Sequence, residues 1–375
     1  MPGALRSRPV TVIGGGVAGL TVAIALQQRG AKVTVLERAP AIAEVGAGLQ
    51  LSPNAMRVLD ALGLSSALDA VSLPSHAVRL CDASGSDVVR LDLTRHRPQA
   101  RFRLIHRARL IEVLEQAAGR AGVRIVLDHP VEIPPDAPLL IGADGLHSRI
   151  RAALNGREVP FFTGQTAWRA VIADQDKPPE AQVFMGPNRH LVSYPLSGGL
   201  RNIVAVLETR DWQDEGWSHP DDPANLRAAF ARFGGPVPGW LAQVDQVHVW
   251  GLFRYQVAPR WQDGRMAILG DAAHPTLPFM AQGACMAIED AWTLAACLDA
   301  VPDQQAALMR YESLRRPRTT RIVEAANANA RNYHLTGPRR LAAHAALRLG
   351  GKIAPGQILS RFDWIYDFDP VAETR

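Results

Sequence analysis

The chain opens on a short apolar run, Val10-Thr11-Val12-Ile13, whose β-branched residues suit a strand buried on both faces. A glycine-rich turn follows, then a helical stretch through Leu20, Ile24, Ala25 and Gln28 that stops at Gly30. Lys32-Val33-Thr34-Val35-Leu36-Glu37 reads as a second strand ending in an acid. Two later apolar runs, Leu139-Leu140-Ile141 and Met266-Ala267-Ile268-Leu269, have the same buried character and also end near acids, Asp144 and Asp271. Between about 160 and 260, short runs broken by Gly, Pro and Asn predict a mainly antiparallel sheet. Beyond Gly283, Met286, Ala287, Ile288, Ala291, Leu294, Ala295 and Leu298 recur at helical spacing.

The chain has 375 residues, 47% hydrophobic and 21% charged, which excludes disordered, collagen-like and coiled-coil classes. At roughly 150 residues per domain its length predicts two packed units. The net charge of +5 is nearly all arginine, since lysine occurs only at Lys32, Lys177 and Lys352. The arginines are scattered without a block, so ordinary surface charge is favoured over a nucleic-acid partner. Cys81, Cys285 and Cys297 form no close pair and no metal-ligand spacing, so no metal and a reducing, cytoplasmic compartment are expected. The uncharged stretch from Pro9 to Gln28 is interrupted by three glycines and read as strand, turn and helix. Neither a cleavable leader nor an integral membrane segment is expected.

Gly14-Gly15-Gly16-Val17-Ala18-Gly19 matches G-x-G-x-x-G at Gly14, Gly16 and Gly19. The first glycine allows a tight turn, the second a close backbone approach to a pyrophosphate, and the third close helix–strand packing. The helix N-terminus then offers unpaired N–H groups and a positive dipole end to the phosphates. Glu37 stands where a carboxylate would take the ribose hydroxyls. This constellation predicts a dinucleotide site without separating FAD from NAD. Asp144 and Asp271, at the ends of buried strands, would lie at the crevice where open α/β sheets bind ligands.

The motifs GGGVAG at 14–19, GAGLQLSPN at 46–54, HRARL at 106–110, GADGLHSRIR at 142–151, GDAAHPTLPFMAQGACMAIEDA at 270–291 and DWIYDFD at 363–369 together resemble the FAD-dependent aromatic hydroxylases, the class A flavoprotein monooxygenases. The resembling branch holds salicylate hydroxylase, 3-hydroxybenzoate 6-monooxygenase and 6-hydroxynicotinate 3-monooxygenase. The resemblance implies an α/β fold: a Rossmann-like FAD-binding domain interleaved with a mainly antiparallel substrate domain, then a C-terminal helical segment. The corresponding boundaries are 1–75, 101–160 and 261–330 for the FAD domain, 76–100 and 161–260 for the substrate domain, and 331–375 for the tail.

The resemblance also implies which residues hold FAD. Gly14, Gly16, Ala18, Gly19, Glu37 and Arg38 would take the ADP half, with Val131 on the adenine side. Arg107 would reach the phosphate or ribityl region, and Asp271 the ribityl chain. Asp144 would support the site, Gln50 would border it, and Gly283 and Ala284 would sit at the pyrimidine edge of the flavin. A helix start near Ala284 would favour the negative charge of the reduced flavin by roughly 0.3–2 kcal/mol. The implied activity uses NADH or NADPH and O2, and hydroxylates a small phenolic or hydroxylated heteroaromatic substrate through a flavin C4a-hydroperoxide.

For the substrate, Arg189-His190-Leu191-Val192-Ser193-Tyr194-Pro195 reads as a strand, which puts His190, Val192 and Tyr194 on one face. About 13 Å would separate His190 from Tyr194 on an ideal strand. The resemblance makes both substrate contacts, His190 as the base for a phenol and Tyr194 as a hydrogen-bonding partner of the ring. Gln50 stands where the 6-hydroxynicotinate enzyme carries histidine, which turns the expectation towards hydroxybenzoate-like substrates. Two other readings stay open at this point: a ubiquinone-pathway or other non-aromatic-acid hydroxylase, and a flavin-binding electron carrier or sensor without oxygenase activity. A homodimer is left open, and the basic, apolar tail from Tyr333 is expected to pack across the domains rather than on a membrane.

Overall fold

A computed structural model describes residues 3–42, 48–175, 177–210, 212 and 219–375. Gly46 and Ala47 of the GAGLQLSPN motif lie outside the described residues. Five parallel strands among the described residues form the central sheet, in the order Met266–Ile268, Leu140–Gly142, Pro9–Ile13, Lys32–Leu36 and Arg124–Val126. The apolar runs around 10, 33, 140 and 267 are thus one layer. The helix Val17–Gln28 packs against its strands Pro9–Ile13 and Lys32–Leu36, and Arg149–Asn155 against Leu140–Gly142 and Met266–Ile268. The helix Val17–Gln28 packs on the helices Arg107–Ala121 and Gly283–Ala300, and its residues from Leu20 to Leu26 are all buried.

Two glycines make this junction. Gly14 has φ 101°, and a Cβ there would lie 2.4 Å from the Ala143 carbonyl oxygen of the neighbouring strand. At Gly19 a Cβ would come within 1.9 Å of the Gly14 oxygen. Any side chain at Gly19 would push the first helix off its strand, which is the close packing expected of the third fingerprint glycine.

A second sheet runs in the order His219–Asp221, Val247–Arg254, Phe161–Ala173, Leu200–Glu208, Arg189–Leu196, Glu180–Gly186, Ala77–Asp82 and Asp87–Asp92. All neighbours are antiparallel except Glu180–Gly186 and Ala77–Asp82, which run parallel. That parallel pair joins strands far apart in sequence, so the substrate sheet interleaves with the chain of the other unit. On one face of the sheet Trp168 and Phe184 pack edge-to-face against Phe230, at the end of the covering helix Pro223–Ala229, and Trp240 of the covering helix Val237–Ala242. The opposite face looks onto the first sheet, and the site forms between them.

The C-terminal quarter is helical, led by Gln304–Tyr333 and Gly337–Ile353. Leu347, Ile358 and Leu359 of the tail pack on Val89, Leu91 and Leu93 at the edge of the second sheet. Arg57 donates to the Tyr366 and Phe368 carbonyls, and Arg318 to the Trp364 carbonyl, which ties the DWIYDFD segment back to the FAD-side helices. The tail therefore bridges the two sheets. Among the described residues no helix is long and apolar enough to cross a membrane.

Beneath the site lies a buried ion network. Arg315 bonds Asp290 at 2.7 Å and pairs with Glu289 at 2.6 Å, and all three side chains are essentially without exposure. Asp290 also holds His274 Nε2 at 2.5 Å and accepts from the Gly270 amide at 3.1 Å. Burial alone would raise the Asp290 pKa; the His274 and Arg315 charges outweigh it and hold that pKa at about 2. The network links three elements: the turn after Ile268, the helix Gly283–Ala300 and the helix Gln304–Tyr333.

Candidate active site and coenzyme cavity

The carboxyl ends of the parallel strands open into a cavity of about 1010 Å³ that continues under the second sheet. That volume is at the top of the usual range of about 300–1,000 Å³ for small-molecule sites, which suits a long coenzyme together with a small substrate. Every expected coenzyme residue borders it, from Gly14 and Glu37 at one end to Gly283 and Ala284 at the other, except Gly19, which is occupied with packing.

At the near end, Glu37 accepts from the Gly15 amide at 2.6 Å and the Ala39 amide at 2.9 Å, so the acid rigidifies the fingerprint loop itself. Ala18, Arg38 and Val131 complete this end. Asp144 accepts from Ser148 Oγ at 2.5 Å and from the Arg149 amide at 2.7 Å. Its carboxylate therefore caps the helix Arg149–Asn155, while burial raises its pKa above the usual value.

Midway, Arg107 at the start of its helix faces the charge of Asp271, and burial lowers the arginine's pKa. Asp271 sits in the short 3-10 turn Gly270–Ala272 and is exposed to the cavity it borders. Burial raises its pKa, against the charges of His274 and Arg107. Ala281 adopts φ 52° before the helix begins at Gly283, and Gln282 is fixed by Ser52 and Asn54. The helix start is thus presented to the cavity with Ala281, Gly283 and Ala284 along the wall; Gln50 faces it from the strand Gly48–Leu51.

The far end is a pocket under the second sheet. His190, Val192 and Tyr194 all line it, as strand alternation requires. Val204 and Val206 of the paired strand and Trp250 and Leu252 beyond it supply apolar walls. Burial pushes the Tyr194 hydroxyl well above its ordinary pKa, so it is a neutral hydrogen-bonding group. Burial, with the charge of His334 second, pushes His190 well below the ordinary histidine value. A neutral imidazole facing the cavity is a proton acceptor.

Arg169 is the residue that sequence reasoning passed over. Its guanidinium lies 4.4 Å over the Trp250 ring, and its Nε has no hydrogen-bond partner. Among the described residues no carboxylate pairs with it. Burial, then the charge of Arg107, brings its pKa down to about 10, so it remains a cation at neutral pH. A half-buried cation with no carboxylate partner among the described residues, opening on a cavity, is an anion site in waiting. In sequence it was one arginine among many; only the sheet register sets it beside Tyr194 and Trp250.

The cavity fits FAD on three observations: Gly14, Gly15 and Gly16 lie bare along its wall, the start of the helix Val17–Gln28 stands beside them, and the lining continues to the second helix start at Gly283. These features define a dinucleotide-coenzyme protein, and comparison with known proteins makes the coenzyme FAD. A family model described as FAD binding domain matches residues 7–136 and 135–326. The chain is 36% identical to 3-amino-4-hydroxybenzoate 2-monooxygenase PtmB3 of Streptomyces platensis, covering 97% of each chain. It is 34% identical to 3-hydroxybenzoate 6-hydroxylase of Polaromonas naphthalenivorans, over 96% of each. Among solved structures, Klebsiella pneumoniae HpxO complexed with FAD and uric acid superposes with TM-score 0.82 at 26% identity, covering 94% of this chain and 97% of that one. The chain belongs to the FAD-dependent aromatic hydroxylases and is an FAD-dependent monooxygenase.

Proposed function

We propose that this protein hydroxylates a small phenolic or hydroxylated heteroaromatic acid of hydroxybenzoate type, using NAD(P)H and O2. One observation carries the reading. The coenzyme cavity ends in a pocket that offers a neutral histidine, a neutral tyrosine and a guanidinium with no carboxylate partner among the described residues, on apolar walls. When bound, FAD supplies the redox chemistry, taking hydride from NAD(P)H and activating O2.

The protein's own groups prepare the ring. His190 takes the phenol proton, because a phenolate ring is far more reactive than a phenol towards an electrophilic oxygen. Tyr194 donates to a ring oxygen, and Arg169 takes a carboxylate. Gly14, Gly16, Ala18, Glu37 and Arg38 hold the ADP half and Arg107 and Asp271 the middle of the coenzyme, with Gln50, Val131 and Asp144 bordering it. Gly283 and Ala284 meet the pyrimidine edge, and Gly19 acts by packing. The 3-amino-4-hydroxybenzoate and 3-hydroxybenzoate activities of the two relatives support a hydroxylated benzoate here.

Residues 1–75, 101–160 and 261–330 serve the coenzyme, 76–100 and 161–260 the substrate, and 331–375 form a bridging tail. The protein works in the cytoplasm on a small molecule rather than a nucleic acid, as a monomer or a homodimer.

The test is a panel of phenolic acids added to FAD-loaded enzyme with NADH or NADPH under air. At least one acid should accelerate NAD(P)H oxidation and yield a hydroxylated product in near-stoichiometric amount. Peroxide alone across the panel would remove the oxygenase reading and leave an electron carrier or sensor.

In the same assay Arg169→Met should raise KM for the acid about 10–100-fold, the loss expected for one charge-assisted contact of about 1.5–3 kcal/mol. KM for the corresponding neutral amide should move little. Equal effects on acid and amide would take the carboxylate away from Arg169.

A further inference from the structure

His190 does not end in the apolar wall. Its Nδ1 lies 2.7 Å from His334 Nε2, and His334 Nδ1 lies 2.7 Å from a Glu208 carboxylate oxygen. His190 and His334 are buried, at 1% and 5% exposure, whereas the Glu208 side chain is 44% exposed. An unbroken line of titratable side chains therefore runs from the pocket to solvent.

The fold builds this line deliberately. His190 pairs across the sheet with Val206, so Glu208, two residues on, is its diagonal neighbour on the same face. His334 caps the helix Gln304–Tyr333 and fills the gap between them. Its carbonyl accepts from the Asn188 amide, and the Asn188 carbonyl accepts from the Glu208 amide, which fixes all three residues to one turn. Phe279 and Tyr333 close around the His190 ring at 5.3 and 5.2 Å.

We propose that His190, His334 and Glu208 form a proton relay that carries the phenol proton of the bound substrate from the closed pocket to bulk water. The inference rests on the phenol reading above and extends it to residues outside the cavity. With Nδ1 turned to His334, Nε2 is the nitrogen left to accept from a phenol. The phenol O–H bond breaks and its proton joins His190 Nε2. The Nδ1 proton of His190 passes to His334 Nε2, and the Nδ1 proton of His334 passes to Glu208. The products are a phenolate, two neutral imidazoles in the opposite tautomer and a neutral carboxyl that releases its proton to water. Run backwards, the same line returns a proton to the hydroxylated product and resets both rings.

Two features keep the rings neutral between transfers. Burial lowers both histidine pKa values, and Arg189 opposes the Glu208 carboxylate at His334. Among the described residues, Tyr333 and, along the strand, Tyr194 also face the line, both neutral because burial raises them.

The experiment uses FAD-loaded enzyme and 4-hydroxy-3-nitrobenzoate, a nitrophenol whose ionisation changes its absorbance. After a rapid pH jump, ionisation of the bound probe should slow at least tenfold in His334→Gln, which keeps a hydrogen-bonding amide but cannot relay. Glu208→Gln should slow it severalfold, with recovery on adding imidazole to the buffer. FAD content and probe affinity should stay at wild-type values in both variants. Wild-type rates in both would overturn the relay.

A second measurement needs no phenol. Nitrogen-15 spectra of the histidine rings should show the proton on Nδ1 of both His190 and His334. A proton on Nε2 of His190 leaves it unable to accept, and overturns the relay by itself. A probe that does not bind counts against the phenol reading of the pocket, while the ring spectra still decide the relay.

Discussion

Replacing His190 by glutamine is expected to lower hydroxylation by about 10²–10⁴-fold, the usual contribution of a positioned general base, with FAD content unchanged. Product formed per NAD(P)H consumed and the visible flavin spectrum check the two halves of that statement. The pH dependence gives it a sign. His190 is deprotonated above its folded-state pKa, which burial has moved below the ordinary value of about 6.5. Wild-type turnover should therefore hold on the acid side of pH 6.5. The glutamine variant should instead recover as pH approaches that of an ordinary phenol, about 10, where the substrate ionises unaided. The same shift bears on stability. The folded state binds its proton less readily than the unfolded chain, so this group's contribution is present above about pH 6.5 and lost as pH falls below it. Equal turnover and an unshifted profile in the variant would remove His190 from the chemistry.

Arg315→Met is expected to cost about 3–5 kcal/mol of folding stability, because it leaves Glu289 and Asp290 as buried carboxylates short of a counter-charge. Arg318 still reaches Glu289 at 2.9 Å, and His274 still reaches Asp290, so the loss is of one member of a network rather than of a lone pair. Denaturant titration of the variant should show the lower midpoint. Flavin release should precede unfolding, since Asp290, itself part of the helix that starts at Gly283, holds the Gly270 amide beside Asp271. A double replacement that also makes Asp290 neutral should recover part of the loss. An unchanged midpoint in the single variant would show that solvent reaches the network.

The sequence disclosed most where structure is local. The first strand, the glycine turn and the second strand could be read directly, because a buried parallel strand is an apolar run and Gly14 is demanded by a positive φ. His190 and Tyr194 could be put on one face by alternation alone. Arg169, Arg315, His334 and Glu208 escaped, for a shared reason. Each is defined by what lies opposite it, and those partners are distant in sequence, 144 residues apart for His190 and His334 and 126 for His334 and Glu208. In a chain so rich in arginine, residue type carries no signal either; burial without a partner does, and only packing reveals that. For Glu37 and Asp144, the motif positions were legible, whereas their bonds to the Gly15 amide and to Ser148 were not.

The cavity wall is assembled from both ends of a long stretch, from Ile13 to Ala287. During synthesis the phosphate-binding turn leaves the ribosome early, while the opposite wall does not yet exist. Coenzyme capture must therefore wait until most of the polypeptide has been made and the two sheets have met. Yellow colour in a preparation then reports a finished tertiary structure, and a nascent or clipped chain carrying only the dinucleotide turn should stay pale.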